Sequence, residues 1–318
     1  MANRIKPFST PVEQEVTFQS GAVRLAGTLL LPAAEGKFPV LLLLPGSGPL
    51  DRNENAKIIA INALREIASY LAPLGIATFR YDKRGVAASQ GDYYCTGFFD
   101  LVGDAAAALA WLKSQPQIEP QKMFVLGHSE GAGISARLAG TCADVAGIIL
   151  LGGWTQSGEA MLLWQAEQVI PGIKGFNGWL IKTLRIDIRK AQAKQLDKIK
   201  RSTKDWYRQL HIKLNARWMR EFMNYTPAED LAKTHAPVLA ITGTKDIQID
   251  PAELDRMAQL VKGGFEGHKL PDVTHMLRAD FSPGLPTTAT YKEQVEKPVD
   301  ARILEIIGKW LQKYGFNS

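Results

Sequence analysis

The 318-residue chain reads as an α/β protein, with a mostly parallel sheet of eight strands, helices on both faces and a helical insertion late in the chain. Three observations predict this. Short apolar runs alternate with helix-compatible stretches, the rhythm of strands and helices in turn. Several of the runs, above all Phe38-Pro39-Val40-Leu41-Leu42-Leu43-Leu44, are apolar throughout rather than at every second residue, as in strands buried on both faces. The rhythm stops between residues 154 and 230 and resumes after them.

Residues 13–18 and 22–31 flank Ser20-Gly21 and read as an antiparallel hairpin. The buried strand 38–44 ends at Pro45-Gly46-Ser47-Gly48-Pro49, a loop too rich in glycine for a regular element and open to close backbone approach by a ligand. Residues 57–72 carry a broad apolar face and predict a helix, residues 75–81 a second buried strand, and residues 98–112 an Ala-rich helix. A strand at 122–126 turns into a helix from about residue 130, and 145–152 is again a buried strand. Between 154 and 230 no strand is expected. That stretch offers helical pieces at 161–170, 186–200 and 205–224 and holds five of the seven tryptophans, Trp154, Trp164, Trp179, Trp206 and Trp218. Strand 237–243, helix 251–262, a short strand ending at 268–270 and helix 301–314 complete the pattern. The expected organisation is a core of residues 1–153 and 231–318, with 154–230 as a helical cap between the sixth and seventh strands.

Composition is that of an ordinary globular protein, 46 % hydrophobic and 22 % charged. No apolar run approaches the roughly 18–20 residues of a membrane span. The start, Met1 to Pro7, lacks the apolar core of a secretory signal. Cys95 and Cys142 have no metal-like spacing and suggest no disulfide scaffold, so the cytoplasm is the expected compartment, and Cys142 is expected to be a small buried residue. The net charge of +6 sits in one place: residues 154–230 hold 14 Lys/Arg against 8 Asp/Glu, and the remainder balances. These basic residues are interleaved with acids and apolar residues, so no nucleic-acid partner is expected. They either draw anionic substrates or form a solvated helix face.

The chemistry centres on Leu126-Gly127-His128-Ser129-Glu130-Gly131-Ala132. A strand that turns sharply into a helix places Ser129 at the tip, and crowding around the turn calls for Gly127 and Gly131 on either side. A serine hydroxyl needs a base to take its proton, and the base needs an orienting carboxylate. In an open parallel sheet both belong at the carboxyl ends of strands. Of His128, His211, His235, His268 and His275, only His275 lies in a loop just after a strand, so it is the expected base; His128 should point its ring away from the serine. Asp246 follows strand 237–243 and is the expected acid, whereas its rival Asp250 precedes Pro251-Ala252-Glu253 as a helix-capping residue would. The backbone N–H groups of Glu130 and Ser47 are the expected pair for an oxyanion, each such donor being worth about 3 kcal/mol of barrier. Asp51-Arg52-Asn53 either clamps an anionic substrate group or holds its own loop, and Asp82 and Arg84 read as loop braces. The tryptophans of 154–230 read as part roof over an acyl chain and part core of the cap itself.

Outside 154–230 the chain resembles an α/β-hydrolase. More narrowly, residues 44–53, Arg80-Tyr81-Asp82-Lys83-Arg84-Gly85 and Gly127-His128-Ser129-Glu130-Gly131 resemble carboxylesterases related to dienelactone hydrolases and prolyl-oligopeptidase-like enzymes. The resemblance implies Ser129 as nucleophile, Asp246 as acid and His275 as base. Pro45 departs from it, standing where many relatives carry His, but the oxyanion donor is a backbone N–H further on. The implied activity is hydrolysis of small carboxylic esters through an acyl-enzyme, without metal or organic cofactor. Thioester hydrolysis or acyl transfer from acyl-CoA would use the same three residues, and a ligand receptor on the same fold is the rival of a different class. Oligomeric state and the identity of the ester are left open.

Overall fold

The computed structural model describes residues 10–169, 188–209 and 212–315. Its centre is an eight-stranded sheet in the order β1-β2-β4-β3-β5-β6-β9-β10, formed by β1 (Val12–Ser20), β2 (Val23–Leu31), β3 (Phe38–Leu44), β4 (Ala77–Tyr81), β5 (Ile118–His128), β6 (Gly147–Leu151), β9 (Val238–Lys245) and β10 (Phe265–Thr274). The β1–β2 and β2–β4 pairs are antiparallel, and every pair from β4 to β10 is parallel.

The uniformly apolar strands are explained by two cores. Val40, Leu42 and Leu44 of β3 face one core, and Leu41 and Leu43 the other. Likewise Ile148 and Leu150 of β6 point one way, and Ile149 and Leu151 the other. The first core is closed by helices α2 (Phe98–Lys113), α3 (Glu130–Thr141) and α8 (Glu253–Leu260), the second by α1 (Ala63–Leu71) and the terminal α10 (Ala301–Gly315). A side chain on such a strand has no wet face, so alternation disappears from the sequence.

Between β6 and β9 lie α4 (Gly158–Val169), α5 (Ile188–Lys200), a hairpin of β7 (Trp206–Gln209) and β8 (Ile212–Asn215), α6 (Ala216–Asn224) and α7 (Pro227–Leu231). The ends of the expected helices at residues 170 and 186–187, and Trp179 and His211, fall outside the described residues. Leu196, Ile199, Ala216 and Met223 form a small core within this segment.

Two expectations are corrected. Residues 205–224 are not one helix: the antiparallel hairpin occupies the first half. Trp206, Tyr207 and Ile212 are aromatic and β-branched residues that favour strands. The Lys213 ammonium, 4.3 Å from the Tyr94 ring and 4.5 Å from the Trp206 ring, pins the hairpin to the core. The helix starts only after Asn215, whose side chain accepts the Trp218 N–H. The expected helix 57–72 is likewise shorter. The Asn62 N–H donates to the Asn55 side chain, which in turn donates to the Asn62 carboxamide, and Asn62 takes a left-handed φ of 53°. This closed loop replaces the first helical turns and leaves Ile58 exposed. A one-turn helix, α9 (Tyr291–Gln294), was not foreseen.

Candidate active site

The turn from β5 into α3 is as tight as the glycine spacing requires. A Cβ on Gly127 would lie 1.9 Å from the Gly131 carbonyl oxygen, and one on Gly131 would lie 2.4 Å from the Leu44 carbonyl oxygen. Ser129 between them has φ 53° and ψ −117°, a conformation that L-residues adopt at a cost and that recurs where function demands it. It is held by the Ser129 N–H donating to the Leu151 carbonyl at 2.9 Å and the Ala132 N–H donating to the Ser129 carbonyl at 2.8 Å.

Asp246 directly follows β9 and His275 directly follows β10, so adjacent parallel strands deliver both at their carboxyl ends. His275 Nδ1 lies 2.8 Å from Asp246 Oδ2, and both residues are buried. The other oxygen, Asp246 Oδ1, accepts the Gln248 and Ile249 N–H groups at 2.8 and 2.9 Å, which fixes the carboxylate plane. Gly152, at the end of β6, leaves room for the pair: a Cβ there would come within 3.3 Å of His275 Cε1 and 3.5 Å of Asp246 Oδ2. Among the described residues the Ser129 hydroxyl makes no hydrogen bond to the His275 ring, a contact that in such sites often tightens only when substrate binds.

The loop Pro45–Pro49, the expected oxyanion loop, lies against Ser129. A Cβ on Gly46 would fall 3.5 Å from Ser129 Cβ. Ser47 and Glu130, the two expected donors, flank this gap, and among the described residues neither N–H donates to a protein acceptor. A carboxylate immediately after the expected nucleophile would repel an oxyanion, and the fold answers this charge. The buried Lys83 ammonium donates to Glu130 Oε2 and the Gly46 carbonyl, both at 2.5 Å, and to the Gly48 carbonyl at 3.2 Å. Glu130 Oε1 accepts the Trp218 indole N–H of α6 at 2.5 Å. All three Lys83 donors are thus used.

The remaining candidates separate cleanly. His235 is exposed ahead of β9, and His268 pairs with Glu266 at 2.8 Å. Asp250 accepts the Ala252 N–H at 2.9 Å in the turn ahead of α8, but it is not the expected helix cap: Ala252 holds that position, and among the described residues no side chain caps the helix. Arg52 forks onto Asp82 and also reaches Glu15 and Thr28, while Asp51 accepts the Asn53 and Asn55 N–H groups, so this trio holds its own loop. Arg84 forks onto Asp104. Trp154 packs on Gly133 and, like Trp218, against Phe222, at 5.6 and 4.7 Å, whereas Trp206 is 40 % exposed. Cys142 is half-buried against the core rather than sealed in it.

Three groups escaped the sequence. Fully buried Arg278 donates to the carbonyls of Met276, Ile61 and Lys297 and to Glu66, riveting the turn that carries His275. Lys83 was passed over, although a charge-dense Asp82-Lys83-Arg84 directly after a buried strand is a visible signal. Glu54 left no local signal; its carboxylate accepts from Gly46 N–H at 2.7 Å and faces His128 Nδ1 at 2.7 Å. Among the described residues no cluster of His, Cys, Asp and Glu suits a metal ion, and no helix is long and apolar enough to cross a membrane.

Esterase EstD of Thermotoga maritima is 25 % identical over 296 residues, which cover 91 % of this chain and 66 % of EstD. An uncharacterized protein of Mycobacterium tuberculosis, Rv2307c, is 28 % identical over 130 residues, 41 % of this chain and 42 % of that protein. The chain thus matches about two-thirds of the first relative's length and less than half of the second's. Among solved structures, ferulic-acid-bound Est1E from Butyrivibrio proteoclasticus superposes with a TM-score of 0.64 at 15 % identity, covering 94 % of this chain and 98 % of that one. Dienelactone hydrolase from Anabaena variabilis gives 0.56 at 16 % identity, with 96 % and 99 % covered. Both share the fold. The Hydrolase_4 family, described as serine aminopeptidase, S33, matches residues 60–280, and the chain belongs to this α/β-hydrolase family.

Proposed function

We propose that the chain is a serine hydrolase that cleaves small carboxylic esters through an acyl-enzyme. The observation that carries this reading is the buried Asp246–His275 hydrogen bond set beside the strained Ser129 turn. Ser129 attacks the ester carbonyl as His275 takes its proton. Asp246 holds the imidazole with Nδ1 protonated, leaving Nε2 free to act. The N–H groups of Ser47 and Glu130 receive the negative charge of the tetrahedral intermediate. His275 then protonates the departing alcohol and activates the water that releases the acid.

In this reading residues 1–153 and 231–318 form the catalytic core and 154–230 the cap. EstD's name supports an ester substrate. The exposed basic residues of α5, Lys194 and Lys198 among them, favour the solvated-face use of the charge excess over a CoA-binding one. Two unpaired cysteines suit a reducing compartment, the cytoplasm being the simplest. The family description supports a second reading, aminopeptidase action with the same three residues.

A fluorophosphonate probe is expected to label the native protein once, at Ser129, and mass spectrometry of the adduct checks this. Absence of an adduct under native conditions overturns the reading in favour of a receptor. A panel of p-nitrophenyl esters, an acyl-CoA and an aminoacyl p-nitroanilide then ranks substrates by kcat/KM; a preference for the anilide would place the chain with the peptidases.

A further inference from the structure

The ring of His128 lies tilted against that of His275, with centroids 4.8 Å and planes 37° apart, yet the reaction above gives it no part. Both its nitrogens face acceptors. Nε2 lies 3.0 Å from the His275 backbone carbonyl, which can only accept, so Nε2 bears a proton. Nδ1 lies 2.7 Å from Glu54 Oε1, the oxygen that also receives the Gly46 N–H. One side-chain pair therefore touches both moving parts of the proposed chemistry, the oxyanion loop through Gly46 and the base-bearing turn through the His275 carbonyl.

The pair is built at a cost that stability alone does not justify. Glu54 takes a left-handed φ of 72°, which Glu rarely adopts. Its Oε2 is buried without a partner among the described residues. Buried ion pairs are poor stabilisers compared with apolar packing, and an unsatisfied buried oxygen worsens the balance. The charged and titratable groups facing His128 are Glu54 from the loop after β3, His275 from the turn after β10 and Asp246 from the end of β9. Burial disfavours the imidazolium, but the Glu54 carboxylate outweighs it and raises the His128 pKa. Burial likewise opposes the Glu54 charge, but His128 and the Gly46 N–H outweigh it and lower the Glu54 pKa.

We propose that Glu54 and His128 are positioning residues, an ionic strut that fixes the oxyanion loop and the His275 turn in register with Ser129. This rests on the hydrolase reading above. Glu54 Oε1 accepts from Gly46 and from the imidazolium together while its charge keeps the ring protonated, and only an imidazolium donates to Glu54 and His275 together. Neither residue touches substrate; each acts through the groups that do.

The test compares variants on a p-nitrophenyl ester that the wild type hydrolyses. His128→Phe keeps the ring and removes both donors; kcat is expected to fall about 100-fold with KM within about threefold, since misplacement of reacting groups by about 1 Å costs on this scale. His128→Gln restores a donor toward the His275 carbonyl and should recover about tenfold of that loss, the smaller share expected of half a strut. In Glu54→Gln, His128 loses its counter-charge and titrates as a buried imidazole, below its ordinary value of about 6.5. The strut is then lost once pH rises past that lowered value, so kcat of this variant is expected to sit on a plateau about tenfold below the wild-type one from about pH 7.5 upward. A kcat within threefold of wild type at about pH 7.5, for either His128→Phe or Glu54→Gln, overturns the proposal. Nitrogen NMR of histidine-labelled protein reads the strut without any turnover: two ring protons on His128 at about pH 7.5 support it, and a neutral ring overturns it. Failure of the hydrolase reading would show instead as a wild type without ester turnover or fluorophosphonate adduct.

Discussion

Ser129→Ala should lower kcat on a short p-nitrophenyl ester by about 10⁶-fold, leaving a residue of catalysis from the oxyanion donors alone. At about 1.4 kcal/mol per tenfold this amounts to about 8 kcal/mol of lost transition-state stabilisation. The substitution is structurally quiet. The strained turn is held by the backbone bonds from Ser129 to Leu151 and from Ala132 to Ser129, and alanine keeps both. Among the described residues the hydroxyl makes no hydrogen bond that the fold would lose. The melting temperature should therefore stay within about 2 °C of wild type, the shift of well under 1 kcal/mol. Purified variant turning over at more than a hundredth of the wild-type rate would rule out Ser129 as the nucleophile.

Asp246→Asn should cost about 10⁴-fold in kcat with KM nearly unchanged, and the hydrogen bonds of the site say why. Two backbone N–H groups, from Gln248 and Ile249, aim at Oδ1 and demand an oxygen there. The carboxamide must then turn its NH2 toward His275 Nδ1. That forces Nδ1 to accept and moves the ring proton to Nε2, where it blocks transfer from Ser129. The base is present, correctly placed and in the wrong tautomer. Asp250→Asn is the control: its side chain serves the turn ahead of α8, and kcat should remain within about threefold of wild type, as for a substitution outside the site. If the two variants behave alike, the acid has been misassigned.

What could be read in the sequence was set by local sterics and chain direction. Gly127 and Gly131 reveal the turn because the clash each avoids lies within a few residues or on the neighbouring strand. Asp246 and His275 could be picked because parallel strands all end on one side, so position after a strand predicts position in space. The hairpin at 206–215 was missed because Trp206, Tyr207 and Ile212 fit an amphipathic helix as well as a strand, and the tie that decides, Lys213 over Tyr94, spans more than a hundred residues. The same holds for the supports of the site. Glu54 meets His128, Lys83 meets Glu130 and Arg278 meets the Ile61 carbonyl only in the folded chain, and no spacing in the sequence announces them. Groups expected to react sit at the ends of elements and leave a pattern; the contacts that steady them join distant parts of the chain, and even a visible charge such as Lys83 does not name its partner.

The Lys83–Glu130–Trp218 contacts join parts of the molecule that topology keeps apart. Proteins open in cooperative units, usually contiguous pieces of supersecondary structure. Here the loop Gly46–Gly48, the first turn of α3 and helix α6 are bonded through one ammonium and one carboxylate, so releasing any of them leaves a buried charged group short of a hydrogen-bond partner. Hydrogen exchange at these three stretches should therefore be governed by one shared opening rather than three separate ones. Movement of α6 and loosening of the loop Gly46–Gly48 would be a single event, which ties that helix to the backbone beside Ser129.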